Sequence, residues 1–269
     1  MRMKRTSSNR RGARLGQHFL TGTWAGEKLA DAVGVRAGET IVEIGPGKGA
    51  LTRELLKRGP VLAVEKDAAL VEGLRETFSG EISSERLRLV AADVRDFEPS
   101  SVGLEAGAYV VAANIPYYIT GEILRQFLSA REQPRAMALL IQKEVAERIM
   151  ARDGKESILS ISVKAFGEPR IVAKVSRGNF SPPPAVDSSI ILISDIGRSR
   201  FASSEAEQNF FRTVRAGFAS KRKFVASNLS AVFEKNSVTE AMARCGVLPN
   251  ERAERLSLKE WLSLAEQLR

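Results

Sequence analysis

The sequence predicts an α/β protein: a Rossmann-like sheet with helices on both faces, plus a small all-α C-terminal domain. Short β-branched runs alternate with segments of helical periodicity up to about residue 196, a pattern typical of a parallel sheet. A glycine-rich turn joins the first of these strands to a helix. After residue 196 only helical periodicity continues, which favours a separate helical domain.

Composition divides the chain into three segments. We expect residues 1–14 to form a flexible basic arm, because six cationic side chains are separated there by polar residues that cannot build a core. Residues 15–196 form the predicted nucleotide-binding domain, and residues 197–269 the helical domain. The boundary is placed where the composition turns polar, near residues 194–204. The arm fits contact with RNA phosphates or a solvated tail equally well.

Charge and the scarce reactive side chains limit the chemistry. The chain has 269 residues and a net charge of +9, from 41 Lys and Arg against 32 Asp and Glu, which suits an anionic partner or a merely basic enzyme. One cysteine, Cys245, excludes an internal disulfide and a cysteine metal cluster, and it fits a reducing cytosol. The single histidine, His18, argues against a His-based triad or a multi-His metal site. We therefore expect no metal, no membrane span, no signal peptide and a cytoplasmic location.

The glycine turn lies in the stretch Val42–Gly49, VEIGPGKG. Its glycines follow a G-x-G-x-G pattern, and Glu43 stands two residues before the first of them, Gly45. The dinucleotide fingerprint has the different spacing G-x-G-x-x-G, so an NAD oxidoreductase is disfavoured. A strand, a tight turn and a helix N-terminus together predict a site where the backbone approaches a nucleotide closely.

Polar side chains end three further predicted strands. Glu65 ends the strand 61–65, where a βαβ unit carries its ribose-binding acid. Asp93 follows the strand 87–91 at a position suited to accepting from an adenine amino group, and Asn114 follows the strand 109–113. Because the carboxyl ends of parallel strands lie at one edge of the sheet, we expect these residues to share a ligand site.

The segment Asn114-Ile115-Pro116-Tyr117 indicates chemistry on a nucleobase amine. Such an amine is a poor nucleophile because its lone pair is delocalised into the ring. The Asn114 side-chain oxygen and the Pro116 carbonyl can accept its two hydrogens and localise the lone pair. Tyr117 can stack on the base, as in enzymes that flip bases. Catalysis then depends mainly on alignment.

Two more segments carry candidate contacts. Three prolines at 182–184 follow Phe180 and stiffen the loop, which is either a connector or a fixed wall bearing Phe180. A basic run between two predicted helices is either a solvated face or an RNA contact, and the overall charge favours RNA. The run consists of Lys221, Arg222 and Lys223.

Ordered motifs covering almost the whole chain after residue 14 resemble the ribosomal RNA adenine dimethyltransferases, specifically the bacterial small-subunit (16S) type associated with kasugamycin sensitivity. The matching stretches are LGQHFL at 15–20, VEIGPGKG at 42–49, VEKD at 64–67, NIPYY at 114–118, QKEVAERI at 142–149, FSPPPAVDS at 180–188, AGFASKRKFVASN at 216–228 and RAERLSLKEWL at 252–262.

This resemblance implies that S-adenosylmethionine (SAM) is the methyl donor and RNA adenine the acceptor, with a Rossmann-like SAM-dependent sheet. It implies dimethylation of two adjacent adenosines in a hairpin loop near the 3′ end of 16S rRNA, by a monomer acting in small-subunit biogenesis. The cofactor positions that match are His18, Leu20, Gly45, Glu65, Asp93 and Asn114. The matching catalytic positions are Asn114, Pro116 and Tyr117, with Phe180 as a second aromatic wall. Tyr118 departs from the Asn often found there, and His18 stands where Asn is also common.

Two other functions stay open. A 23S rRNA adenine methyltransferase of the macrolide-resistance type shares the cofactor and adenine motifs, although the segments at 216–228 and 252–262 look like the small-subunit type. A ribosome-assembly factor without catalysis is the second, and the intact Asn-Ile-Pro-Tyr segment argues against it.

Overall fold

The computed structural model describes residues 18–268, and these form two compact units. The first contains the described residues up to Ala146 together with Arg170–Ile196. The second contains Glu147–Pro169 and the chain from Gly197 onward. The predicted basic arm at 1–14 lies outside the described residues.

Seven strands form the sheet of the first unit, in the spatial order β4-β3-β2-β5-β6-β9-β7. The strands from β4 to β6 run parallel, and β9 is antiparallel to β6. Their bounds are β2 Thr40–Ile44, β3 Val61–Glu65, β4 Leu87–Ala91, β5 Tyr109–Asn114, β6 Ala136–Gln142, β7 Glu168–Val175 and β9 Ser188–Ser194.

The central strands are apolar on both sides. Ile41 of β2 pairs with Val61 and Val110, and these residues pack in one buried core cluster with Leu29 and Leu55. The alternate strand residues are equally buried, as expected for a parallel sheet that is covered on both faces. The helices of the chain up to residue 150 are α1 Thr23–Val33, α2 Ala50–Leu55, α3 Ala68–Thr77, α4 Ser79–Ser83, α5 Thr120–Ser129 and α6 Lys143–Met150.

The strand order places a ligand crevice at the centre of the sheet. From β2 the chain continues outward to β3 and β4 on one side, and β5 and β6 follow on the other. The order therefore reverses between β2 and β5, and such switch points are where open α/β sheets bind ligands. The predicted Rossmann-like architecture is confirmed in this unit.

A separate two-stranded ribbon connects distant parts of the first unit. It pairs β1 Phe19–Leu20 antiparallel with β8 Phe180–Ser181, and Leu20 lies opposite Phe180. Both of these side chains are buried in the same core cluster as α1 and α2. The ribbon fixes the chain immediately after His18.

The second unit is built mainly from helices around its own core. Phe210, Val214, Leu229 and Trp261 are buried there. Gly217 is required by close packing, since a Cβ at this position would overlap the Trp261 ring. The helices are α7 Ile158–Phe166, α8 Ser204–Gly217, α9 Val225–Leu229, α10 Lys235–Arg244 and α11 Leu258–Gln267.

The structure differs from the predicted division in one segment. Residues 147–169 were expected in the first domain, whereas they belong to the second unit. The reason is packing, because Ile161 and Ala165 of α7 are buried in the core cluster that contains Phe210 and Trp261. The basic run of Lys221, Arg222 and Lys223 forms an exposed turn between α8 and α9.

Within residues 18–268, none of the helices combines the length and the apolar character needed to cross a bilayer.

Candidate active site

One pocket of the first unit collects the polar groups at the carboxyl ends of four parallel strands. Gly45 follows β2, Glu65 ends β3, Asp93 follows β4 and Asn114 ends β5. All four residues line this pocket. The other predicted site residues that line it are His18, Pro116 and Tyr117.

The glycine turn leaves open space on the pocket side. Gly45 has a φ of +63°, and a Cβ built there would meet no atom within 4 Å. Its backbone N–H donates to the Val64 carbonyl at 2.9 Å, which fixes the turn against β3. Gly49, the N-cap of α2, has a φ of +80°, and a Cβ there would overlap the Phe78 ring. Glycine is thus needed at both positions, for conformation at the first and also for packing at the second.

Glu65 is held in place by main-chain donors. Its carboxylate accepts from the Gly47 N–H at 3.2 Å and from the Asp67 N–H at 3.0 Å. The residue is only 4% exposed, yet it lines the pocket. An ionised carboxylate has about four acceptor sites, so the two that remain can bind hydroxyl groups of a ligand.

Asp93 is held by two cations at the pocket wall. Arg95 donates from Nε to Oδ1 at 3.0 Å and from Nη2 to Oδ2 at 2.7 Å, and Lys66 Nζ lies 4.0 Å from Oδ2. These contacts, mainly those of Arg95, lower the pKa of Asp93 to about 2. The group is therefore an ionised acceptor, suited to an amino group of a base. Lys66 and Arg95 also line the pocket, although neither was predicted from the sequence as a site residue.

Glu43 lies beneath the glycine turn without a hydrogen-bond partner for either carboxyl oxygen. It is 1% exposed, and this burial raises its pKa to about 8, with nearby Glu65 adding to the effect and Thr52 opposing it. At neutral pH the side chain is therefore mostly a neutral acid, and it does not line the pocket. Glu43, the acid of the glycine motif, therefore lies in the protein interior and is not part of the pocket lining.

Asn114 is oriented by the main chain of His18, the residue before β1. Its Nδ2 donates to the His18 carbonyl at 3.0 Å. No donor among the described residues occupies its Oδ1, so this oxygen can accept from a ligand. The Pro116 carbonyl accepts from the Ile119 N–H at 3.1 Å and keeps a second lone pair. Two acceptors near the end of β5 are therefore available for the two hydrogens of one amine.

Tyr117 forms a fixed aromatic wall. Its hydroxyl is 2.8 Å from the Ser188 hydroxyl, and its ring centroid lies 5.7 Å from that of His18. Burial is the main cause that raises the pKa of Tyr117, so the phenol is neutral. His18 is anchored in turn, because its Nδ1 lies 2.8 Å from the Pro182 carbonyl. Ser188 was not predicted as a site residue, although it ends the motif FSPPPAVDS at 180–188.

Some predicted residues lie away from the pocket lining. Leu20 and Phe180 face each other in the β1–β8 ribbon, where Phe180 is 3% exposed, and neither lines the pocket. Strand pairing turns the Phe180 ring into the core, which the predicted aromatic wall did not anticipate. The three basic residues at 221–223 are exposed on the second unit.

The described residues provide no group of three or more His, Cys, Asp or Glu side chains able to hold a metal ion. The pocket instead offers two carboxylates, an open glycine turn and an amide. Such a set can bind a nucleoside through its hydroxyl and amino groups, and it can orient a second amine for attack.

Comparison with known proteins identifies the family. The sequence model of the family described as "Ribosomal RNA adenine dimethylase" matches residues 8–269 of this chain. The chain belongs to this family. It is therefore an enzyme of ribosomal RNA adenine methylation.

Relatives extend over nearly the whole chain. A protein from Dehalococcoides mccartyi (strain CBDB1) named ribosomal RNA small subunit methyltransferase A is 40% identical over 93% of this chain and 86% of its own length. One of the same name from Moorella thermoacetica is 39% identical over 94% of this chain and 91% of its own.

Solved structures support the fold. The 23S rRNA methyltransferase ErmE has a TM-score of 0.75 and 27% identity, covering 93% of this chain and 99% of its own. A dimethyladenosine transferase from Plasmodium falciparum has a TM-score of 0.75 at 24% identity, covering 92% and 96%. The two structures confirm the predicted fold class, and the family match together with the relatives confirms the predicted family.

Proposed function

We propose that the protein transfers methyl groups from SAM to the exocyclic amines of two adjacent adenosines in a hairpin loop near the 3′ end of 16S rRNA. The products are dimethyladenosines, and the reaction belongs to small-subunit biogenesis. Relatives with 39–40% identity carry the name small subunit methyltransferase A, which supports the small-subunit substrate. The motifs at 216–228 and 252–262 support the same type.

The donor half of the pocket fits SAM. The open space at Gly45 admits the amino-acid tail, Glu65 accepts from the ribose hydroxyls, and Asp93 accepts from the adenine amino group. When bound, SAM supplies an electrophilic methyl group carried on a sulfonium. Arg95 keeps Asp93 ionised and fixes the direction of its carboxylate.

The acceptor half aligns the target amine. Asn114 Oδ1 and the Pro116 carbonyl accept its two hydrogens, which localises the nitrogen lone pair and points it toward the donor half. Tyr117 stacks on the target base, and its bond to Ser188 prevents the ring from turning away. Alignment of this kind can lower a barrier by roughly 7–11 kcal/mol at the extreme.

The observation that carries this proposal is the hydrogen bond between Asn114 Nδ2 and the His18 carbonyl. Because it uses the donor side of the amide, it leaves the acceptor side for the adenine amine. It also connects the catalytic segment to the strand β1, which Leu20 and Phe180 hold in the core. We assign those two residues to the support of His18.

The deciding experiment is labelled-methyl transfer from SAM to unmodified small and large ribosomal subunits, followed by mapping of the modified nucleotide. We expect dimethylation of two adjacent adenosines in the small subunit. Modification of the large subunit instead would identify the protein as a 23S rRNA adenine methyltransferase and contradict this proposal. Absence of transfer to both subunits, with SAM bound, would favour an assembly factor.

The second candidate is a 23S rRNA adenine methyltransferase. It is favoured by the match to ErmE, which covers 93% of this chain. Its 27% identity is lower than that of the small-subunit relatives, so we place it second.

We further propose that the enzyme acts as a cytoplasmic monomer on 16S rRNA within the small subunit or its precursor. The exposed turn at 221–223 contacts RNA phosphates in this proposal, since its three cations lie together on the surface. It needs no metal and no membrane.

A further inference from the structure

Tyr118 is an aromatic residue of the pocket that the proposed chemistry leaves without a role. It lines the pocket, and yet 65% of the residue is exposed. Among the described residues, no hydrogen bond and no ring contact restrains its side chain. Six other large hydrophobic residues of the described chain are exposed, by 37–62%, and none of them lines this pocket.

Its neighbour Tyr117 has the opposite character. Tyr117 is half-buried, bonded to Ser188 and close to the His18 ring. Both tyrosines belong to the 3₁₀ turn Tyr117–Ile119. Such a turn has three residues per turn, so successive side chains diverge by about 120°. One ring therefore forms the inner wall, and the other stands at the rim.

The position of Tyr118 at the rim suits contact with the RNA base that neighbours a flipped-out target base. The base next to the flipped one loses a stacking partner, and its exposed face then lies at the mouth of the pocket. Proteins that bind single-stranded nucleic acid cover successive bases with aromatic side chains. We propose that Tyr118 stacks on the nucleotide that flanks the target adenosine and thereby positions the RNA strand.

This inference rests on the proposed function. If two adjacent adenosines are modified, the flanking base in one of the two binding events is the other adenosine. Tyr118 then holds the second substrate base while the first occupies the pocket. Its contribution is to binding of the strand, because the two hydrogens of the target amine are already assigned to Asn114 and Pro116.

The test is a steady-state comparison of Tyr118→Phe, Tyr118→Asn and Tyr118→Ala on whichever unmodified ribosomal subunit the wild-type enzyme methylates. Stacking is worth about 1–3 kcal/mol per base, so we expect KM for the subunit to rise about five- to 150-fold in the Asn and Ala variants. The Phe variant should stay within about twofold of wild type. Because the lost interaction is uniform binding, kcat should change little.

Trp24→Ala is the matched control, since Trp24 is a 43% exposed aromatic of the same unit that does not line the pocket. It should leave KM unchanged, and all variants should bind S-adenosylhomocysteine as wild type does. Normal KM in both Asn and Ala variants overturns the inference, as does an equal loss in the Phe variant. A fall in kcat at constant KM also overturns it.

These results separate the inference from the proposed function. The identity of the methylated subunit and nucleotide tests the proposed function, whereas the KM series on that substrate tests Tyr118. A wild-type enzyme that methylates the large subunit would end the small-subunit proposal and still allow the Tyr118 series to be decided.

Discussion

Asn114 and His18, 96 residues apart in sequence, are joined by a hydrogen bond of 3.0 Å from the Asn114 side-chain amide to the His18 main-chain carbonyl. Since the acceptor is main chain, a substitution of the histidine ring leaves this bond in place. Replacing Asn114 removes it. Substitutions of Asn114 and of His18 should therefore differ in their effect on turnover.

We expect Asn114→Ala to lower kcat at least about 100-fold, because both the orientation and the amine acceptor are lost. Binding of small subunits should stay within about twofold of wild type. His18→Ala should lower kcat less than Asn114→Ala does, since the main-chain carbonyl of residue 18 still accepts from Asn114. Single-turnover methyl transfer under saturating enzyme measures the chemical step.

Asn209→Ala is a suitable control for Asn114. The Asn209 amide also donates to main-chain carbonyls, those of Ala265 and Leu268, but it lies in the second unit. This variant should lose stability and keep its turnover at low temperature. Equal turnover in wild type and Asn114→Ala would place the amine acceptor elsewhere.

The second prediction concerns Glu65. Glu65→Ala removes an acceptor from the pocket and also releases the Gly47 and Asp67 N–H groups. SAM binding should weaken by about 1–3 kcal/mol, the scale for a hydrogen bond to a charged group. Glu65→Gln, which keeps one oxygen, should weaken it less. Isothermal calorimetry of SAM binding measures both effects.

Its control is Asp67→Ala. The Asp67 side chain caps α3 by accepting from the Ala69 and Leu70 N–H groups, and it does not line the pocket. The loss of this cap should lower stability by about 1 kcal/mol. SAM affinity should stay normal. A folded Glu65→Ala protein with wild-type SAM affinity would remove Glu65 from the site.

The strand ends could be predicted from sequence because their signals are local. Alternating apolar runs and a glycine turn indicate where Gly45, Glu65, Asp93 and Asn114 lie, and parallel strands bring such residues to one edge. The clamp of Arg95 on Asp93 lies only two residues away, yet its geometry depends on the 3₁₀ turn Val94–Asp96.

Other features depend on partners distant in sequence. Phe180 is buried because β8 pairs with β1, which a rigid proline loop alone does not indicate. The apolar run at residues 157–166 fits a helix and a strand equally well by sequence alone. The reciprocal capping bonds between Ser157 and Ser160 start a helix there, and its apolar face then packs in the second unit.

The third prediction concerns pH and Glu43. Its pKa is about 8 in the folded protein against 4.5 for an ordinary Glu. Between these values the unfolded chain loses the proton while the folded protein keeps it, so the free energy of unfolding falls as pH rises. One such group can lower the free energy of unfolding by at most about 1.4 kcal/mol for each unit that the pH rises. Below pH 4.5 the group is protonated in both states.

We therefore expect Glu43→Gln to gain stability relative to wild type as pH rises from 4.5 toward 8. Urea unfolding at a series of pH values measures this difference. Glu54→Gln is the control, because Glu54 is equally buried but paired with Lys57 and Arg58 at 2.8 and 3.4 Å. That variant should be destabilised. A pH-independent difference for Glu43→Gln would show that the buried carboxyl is already ionised.

The last prediction concerns the exposed turn of the second unit. The turn is held firmly, since Asn228 Nδ2 donates to the Ser220 carbonyl at 3.0 Å and the Val225 N–H donates to the Glu251 carbonyl at 2.9 Å. The main chain on both sides of the three cations is thus anchored to the second unit. Each phosphate contact contributes about 0.7–0.9 to the slope of log K against log salt concentration. Reversal of the three charges to Glu should weaken subunit binding and make that slope shallower.

The matched control reverses three exposed cations of the first unit and carries the same change in net charge. These are Lys28, Arg75 and Arg131. If only the total charge mattered, both triple variants would bind small subunits equally weakly. We expect the variant at Lys221, Arg222 and Lys223 to bind small subunits far more weakly than the control does, with a shallower dependence of log K on log salt concentration. Calorimetry should give unchanged SAM binding in both triple variants. Normal methylation by that variant across a salt series would identify the turn as a solvated surface.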